Sequence, residues 1–163
     1  MGFAQGERLR EIMLSNEWTL AAGESVTCGQ IQRLVGEISG ASEFFVGGVT
    51  AYNLEQKSRI LGVDQDHAQD VNCVSQRVAD EMARGTAKLF RSSLAVSSTG
   101  YAESYPDRAV DVPFGHVALW QSDGEDGGRL LYQQRIEVAG RERVQVQLHL
   151  AEAILSAVVR HFE

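Results

Sequence analysis

Three short segments carry the side chains with reactive potential. Ser25 stands in Gly23-Glu24-Ser25-Val26-Thr27-Cys28-Gly29, between an apolar run, Thr19 to Ala22, and a segment of helical spacing at Ile31, Leu34, Val35 and Ile38. Tyr52-Asn53-Leu54-Glu55-Gln56-Lys57 brings a phenol and an amine to the end of a second apolar run, and Ser98-Thr99-Gly100 closes a third. A serine hydroxyl is a weak nucleophile until a base removes its proton. A lysine amine can serve as that base only when burial or nearby positive charge lowers its pKa of ~10.4 toward neutrality. Tyr52 could relay the proton or hold the lysine neutral. Backbone N–H groups after Ser25, the Thr99 hydroxyl and the Gly100 N–H are then candidate donors to an oxyanion. The chemistry that fits is acyl transfer, meaning hydrolysis of an amide or ester.

Each group also has a structural reading. Ser25 or Thr27 could cap the following helix. Lys57 could be a solvated charge, or pair with Glu24 and stay protonated. Tyr52 could be a core or interface aromatic, and Thr99-Gly100 could simply end a strand. Cys28 sits where a helix start would lower a thiol pKa, but the sequence favours a buried, inert thiol. His116, just ahead of an apolar strand, reads as structural.

The elements that must position these groups alternate strand and helix. The sequence predicts a helix over 6–14, a strand near Trp18 to Ala22, and a helix from after Ser25 to Ser39-Gly40. Phe44 to Tyr52 reads as a strand, and a short helix runs from Asn53 to Leu61 and stops at Gly62. Ser75 reads as the N-cap of a helix reaching Phe90, with Val78, Met82 and Leu89 inward. A buried-type strand covers Ser93 to Ser98. Gly115 to Trp120 and Leu130 to Val138 flank Ser122-Asp123-Gly124-Glu125-Asp126-Gly127-Gly128, a turn-rich spacer that implies an antiparallel hairpin. Val144, Leu148, Ala151, Leu155, Val158 and Phe162 form a helical stripe at the end. The sum is a single-domain α/β protein over 1–163: a mixed sheet with helices on both faces and an antiparallel hairpin near its C-terminus. An open sheet of this kind usually binds ligands at the carboxyl edge of its strands, where all three reactive segments fall.

Composition narrows the function. The 163 residues are 44% apolar and 23% charged, with a formal net charge of -7 and a pI of about 5.1. An acidic chain is a poor sequence-independent nucleic-acid binder, which needs a basic surface, but a phosphorylated small molecule needs only local positive potential. His67, His116, His149 and His161 are scattered, with no metal-binding motif. No apolar run approaches the ~20 residues of a membrane span. Two cysteines, Cys28 and Cys73, and no leader pattern point to a cytoplasmic setting with reduced thiols.

The ordered series is more specific than its parts. Gly23 to Thr27, Ser42-Glu43-Phe44-Phe45-Val46-Gly47-Gly48, Tyr52 to Lys57, Leu61-Gly62-Val63, Val74-Ser75 and Thr99-Gly100 together resemble the CinA C-terminal-domain family, the nicotinamide-nucleotide amidohydrolases. The match runs from about residue 7 to 160, with Arg141 and the last helix fitting the family's end. The resemblance implies deamidation of nicotinamide mononucleotide to nicotinate mononucleotide and ammonia. Ser25 would be the nucleophile, Lys57 the base and Tyr52 its assistant. Thr27, Gly29, Thr99, Gly100 and Arg108 are the expected substrate-binding residues. No metal or organic cofactor is implied, and a homodimer is. The family's fuller architecture adds an N-terminal nucleotide-processing domain outside this sequence. Three departures stand out. Cys28 takes the place of a glycine and Leu54 that of an asparagine. The usual Gly-Ile-Ala-Gly-Pro loop is replaced by Tyr101-Ala102-Glu103-Ser104-Tyr105-Pro106-Asp107-Arg108. Glycines that would let backbone amides approach a phosphate are thereby lost. Glu103 and Asp107 add negative charge there, with Arg108 placed to compensate.

Overall fold

The computed structural model describes residues 2–124 and 127–163. Helix α1 (Phe3–Ser15) leads into strand β1 (Leu20–Glu24), which is followed by helix α2 (Gln30–Gly36) and strand β2 (Phe45–Thr50). Three helices come next: α3 (Leu54–Leu61), α4 (Gln65–Asp70) and α5 (Gln76–Phe90). Strand β3 (Leu94–Tyr101), strand β4 (Phe114–Ser122), strand β5 (Gly128–Glu137) and helix α6 (Arg143–Phe162) complete the chain.

The described strands form one sheet in the order β2-β1-β3-β4-β5. β1 lies between β2 and β3 and is parallel to both, while β3–β4 and β4–β5 are antiparallel. The single-domain mixed α/β fold read from the sequence is the fold observed. From β1 the chain first moves outward to β2, then crosses back to β3 on the other side. That reversal opens a crevice beyond the carboxyl ends of β1 and β3, where open α/β sheets hold ligands.

Both faces of the sheet are covered. On one, Leu9, Ile12 and Met13 of α1, Ile31, Leu34 and Val35 of α2, and Ile154, Leu155 and Val158 of α6 pack with Leu20, Ala22, Leu94, Val96, Val117 and Leu119 of the strands. On the other, α5 lies across β1, β3 and β4, with Ala79 and Ala83 against Ala118. All five residues of β1 are buried, as expected for a central strand covered on both sides.

Local signals place most boundaries. Asn53 caps α3 by accepting from the Gln56 N–H, and Gly62 ends it with φ +66°. Ser75 caps α5 by accepting from Val78 N–H. The hairpin expected around 122–128 is present, although Glu125 and Asp126 of its turn lie outside the described residues.

Some expectations are corrected. α2 begins at Gln30, because residues 25–29 form turns rather than a first helical turn. Leu89 and Val144 are exposed instead of inward. α6 is apolar on more than one side, and the side that packs includes Val146, Leu150 and Ile154. α4 has a single buried residue, Ala68, and so no apolar period to announce it.

Candidate active site

The geometry begins with Glu24, the last residue of β1, whose side chain is fully buried. Its Oε2 accepts from Thr27 Oγ1 at 2.7 Å, Gly29 N–H at 2.8 Å and Ile31 N–H at 3.1 Å. Its Oε1 accepts from Gln32 N–H at 2.9 Å. Helix starts leave N–H groups without intrahelical partners and favour negative charge. Glu24 supplies acceptor and charge together, reaching forward from the strand instead of from the usual capping position. An ion pair between Glu24 and Lys57 is therefore excluded, and Ser25 caps no helix. The N-cap position of α2 belongs to Gly29, with φ +96°, a conformation suited to glycine.

This turn fixes Ser25. Its N–H donates to Ser98 O at 3.0 Å and its carbonyl accepts from Cys28 N–H at 3.1 Å. Thr27 has one hydroxyl hydrogen, given to Glu24, so Ser98 Oγ donates to Thr27 Oγ1 across 2.6 Å. Ser25 is 7% exposed, with its side chain at the floor of a cavity.

Lys57 meets it from the other side. The Asn53 cap sets α3 so that Lys57 falls just after its first turn, and the side chain runs under the β2–α3 connection to end 1% exposed. Its Nζ lies 2.8 Å from Ser25 Oγ, 2.9 Å from Ala51 O and 3.0 Å from Tyr52 O. As an ammonium it donates to all three. As a neutral amine, two N–H bonds go to the carbonyls and the lone pair is left facing the serine hydroxyl. Burial pushes the Lys57 amine down to about 8, with the nearby Cys73 thiol pulling the other way. A lysine so held has a substantial neutral population near pH 8.

The cavity above this pair has a volume of about 290 Å³, near the small end of the ~300–1,000 Å³ typical of ligand pockets. Thr99, Gly100 and Tyr52 join Ser25 and Lys57 in its lining, so the ends of β1, β2 and β3 converge as the sequence suggested. Thr99 Oγ1 donates to Cys73 O at 2.7 Å, which commits its hydrogen to the wall of the site. A Cβ on Gly100 would come within 2.2 Å of Phe114 O, so only glycine permits the close β3–β4 approach there. Tyr52 contributes its carbonyl to Lys57, while its 55%-exposed side chain points to the mouth. There its hydroxyl accepts from Arg143 Nη2 at 3.0 Å.

Three expected substrate-binding residues stand apart from the cavity. Thr27 is fully buried beneath Ser25 in the Glu24 network. Gly29 opens α2, and Arg108 is exposed. Neither lines the cavity. The guanidinium at the mouth is instead that of Arg143, the first residue of α6. Nothing local in the sequence marked it, because α6 meets residues 101–105 only through the fold. Cys28 is exposed, with φ +47°. The turn that buries Glu24 turns this side chain outward, so the expected buried thiol is not found. His116 pairs through Nδ1 with Gln76 Oε1 at 3.1 Å, and burial, then Arg135, hold its pKa down.

The CinA C-terminal domain family matches residues 4–162. The chain belongs to that family. A CinA-like protein of Syntrophomonas wolfei is 34% identical over 145 residues, covering 88% of this chain and 33% of the relative. The chain spans about a third of the length of the curated relatives it matches. Among solved structures, a competence or damage-inducible protein from Enterobacter asburiae superposes with a TM-score of 0.87 at 19% identity, covering 99% of this chain and 98% of that one. The competence/damage inducible protein CihA from Agrobacterium tumefaciens gives 0.84 at 22% identity, covering 100% and 98%. At these identities the likeness is one of CinA fold. No helix among the described residues is long and apolar enough to cross a membrane.

Proposed function

We propose that this CinA domain is an amidohydrolase in which Ser25 is the nucleophile and Lys57 the base. One observation carries the reading: a buried serine hydroxyl 2.8 Å from a buried amine whose other partners are both carbonyl oxygens. Neutral Lys57 takes the Ser25 proton as Oγ attacks the carboxamide carbon. The Val26 and Thr27 N–H groups, next after Ser25 in the turn, are the proposed donors for the oxyanion. Collapse breaks the C–N bond, and Lys57 returns the proton to the leaving nitrogen, releasing ammonia and leaving an acyl-serine. Water, deprotonated by Lys57, then attacks the ester carbon. The carboxylic acid departs and Ser25 regains its hydrogen. The net change is amide plus water to acid plus ammonia, with no redox step and no cofactor.

Nicotinamide mononucleotide, giving nicotinate mononucleotide and ammonia, is the substrate this reading places first. A second reading keeps the Ser25–Lys57 chemistry with a different amide, and the replaced 101–108 segment favours it. A cytoplasmic homodimer belongs to the same proposal, and mass measurement in solution checks the dimer. The test is ammonia release from nicotinamide mononucleotide by the purified protein and by Ser25→Ala. Release that depends on Ser25 supports the first reading. Labelling of Ser25 by a serine-reactive probe without ammonia release moves the proposal to the second. Neither turnover nor labelling would leave a catalytically silent ligand-binding domain.

A further inference from the structure

At the cavity mouth, Arg143 donates through Nη1 to Glu103 Oε1 at 2.9 Å and through Nη2 to the Tyr52 hydroxyl at 3.0 Å. Among the described residues, Arg143 is the one cation lining this cavity apart from Lys57, whose amine is sequestered at the floor. A phosphate would need that guanidinium, and Glu103 already holds it.

The far part of the replaced loop, residues 105–110, offers no open amide cradle. Proteins commonly bind phosphate with amides left unpaired at a turn or helix start. Here Tyr105 N–H donates to Val110 O at 2.8 Å, Arg108 N–H to Tyr105 O at 3.0 Å, Ala109 N–H to Pro106 O at 2.9 Å and Val110 N–H to Tyr105 O at 3.1 Å. These four amides close the loop on itself. The segment lines the cavity with residues 101–105, among them two phenol rings, Tyr101 and Tyr105, with centroids 5.8 Å apart. Asn72 Nδ2 donates to the Tyr101 hydroxyl at 2.9 Å and steadies the first ring.

We propose that Glu103 is a specificity-determining residue: by holding Arg143 it weakens the cavity's grip on phosphorylated amides relative to unphosphorylated ones. The meaning for turnover rests on the amidohydrolase reading, whereas the charge balance at the mouth can be measured without it. A phosphate dianion on Arg143 must either displace the Glu103 carboxylate or sit a few ångströms from it. At the high effective dielectric of an exposed mouth, that like charge weakens affinity by about tenfold.

The probe is inorganic phosphate at pH 8, titrated into the intact protein by calorimetry or NMR. Both side chains are exposed, so Glu103→Gln and Arg143→Gln should leave the fold intact. Glu103→Gln is expected to tighten phosphate about tenfold, and adding Arg143→Gln to it should remove the gain. Phosphate binding that is absent or unchanged in Glu103→Gln, or a gain that survives Arg143→Gln, overturns the proposal. Where turnover is found, Glu103→Gln should also raise kcat/KM for nicotinamide mononucleotide about tenfold relative to its unphosphorylated nucleoside. An equal change for both compounds would count against it. The amidohydrolase reading is judged separately, by Ser25→Ala, so the two can fail independently.

Discussion

The floor and the mouth of the cavity are built on opposite terms. At the floor, Glu24, Ser25, Thr27, Lys57, Ser98 and Thr99 are all buried, and their polar side-chain atoms are joined to one another or to backbone at 2.6 to 3.1 Å. At the mouth, Tyr52, Glu103, Tyr105 and Arg143 are more exposed and come from connections and a helix start. A floor group that left its partner would strand a buried donor or acceptor, at about 1–3 kcal/mol each. An exposed ion pair such as Arg143–Glu103 is held by only ~0–1 kcal/mol, so a ligand can rearrange it. On the proposed function, this difference would be a division of labour in which the floor sets the reaction and the mouth the choice of substrate.

The sharpest way to break this comparison is to remove the floor's chemistry without its packing. Ser25→Ala and Lys57→Met should each lower hydrolysis by at least about a thousandfold, measured as ammonia release, with the circular dichroism spectrum unchanged. Hydrolysis that survives either change would show the Ser25–Lys57 contact to be structural. Glu24→Gln comes next. Its amide would present hydrogens to N–H groups that need an acceptor, and urea unfolding should show a loss of about 3 kcal/mol. A loss under 1 kcal/mol would mean the turn is held by something other than this carboxylate.

Proton titration gives the third effect. Below about 8, Lys57 is mostly protonated and cannot accept from Ser25. kcat/KM should therefore rise about tenfold per pH unit up to that point and level off above it. The stability sign is also fixed. The folded amine titrates near 8 and the unfolded one near 10.5, so the full penalty of burying the charge applies below about 8. It is relieved as pH rises between those values, because the unfolded chain then binds the extra proton. A flat rate profile through this window would remove Lys57 from the role of base. The smallest effect belongs to Thr99→Val, which leaves the Cys73 carbonyl without its hydroxyl donor. Unfolding should report a loss of about 1 kcal/mol, and a much larger loss of rate than of stability would give Thr99 a direct part in the reaction.

Legibility in the sequence followed the range of the forces involved. Lys57 was readable because Asn53 and Gly62 bracket α3 by local hydrogen bonds and backbone conformation, and the apolar runs ending at β1, β2 and β3 implied a common edge. The role of Glu24 is hidden in the sequence because its carboxylate serves amides five to eight residues ahead, a reach that exists only once residues 25–29 have turned. Arg143 escaped notice for a longer-range version of the same reason: Glu103 and Tyr52 lie 40 and 91 residues away in sequence. Cys28 was misplaced because a positive φ at a non-glycine residue leaves no periodic signature. In α6 the apolar residues outnumber one stripe, so a spacing rule selected Val144 where the packing selected Val146.

The spacing of the contacts around Ser25 also has a temporal side. Glu24 binds partners three to eight residues away, whereas Lys57 reaches Ser25 across 32 residues. Short loops close at small entropic cost and early in folding, while long ones wait for strands to pair. The turn that presents the serine should therefore form before β2 and α3 deliver the amine. Stopped-flow refolding should find Glu24→Gln slower to fold, with Lys57→Met folding at the parent rate. A chain caught before β2 and α3 had docked would then carry the Glu24 turn already formed, with no amine yet beside the Ser25 hydroxyl.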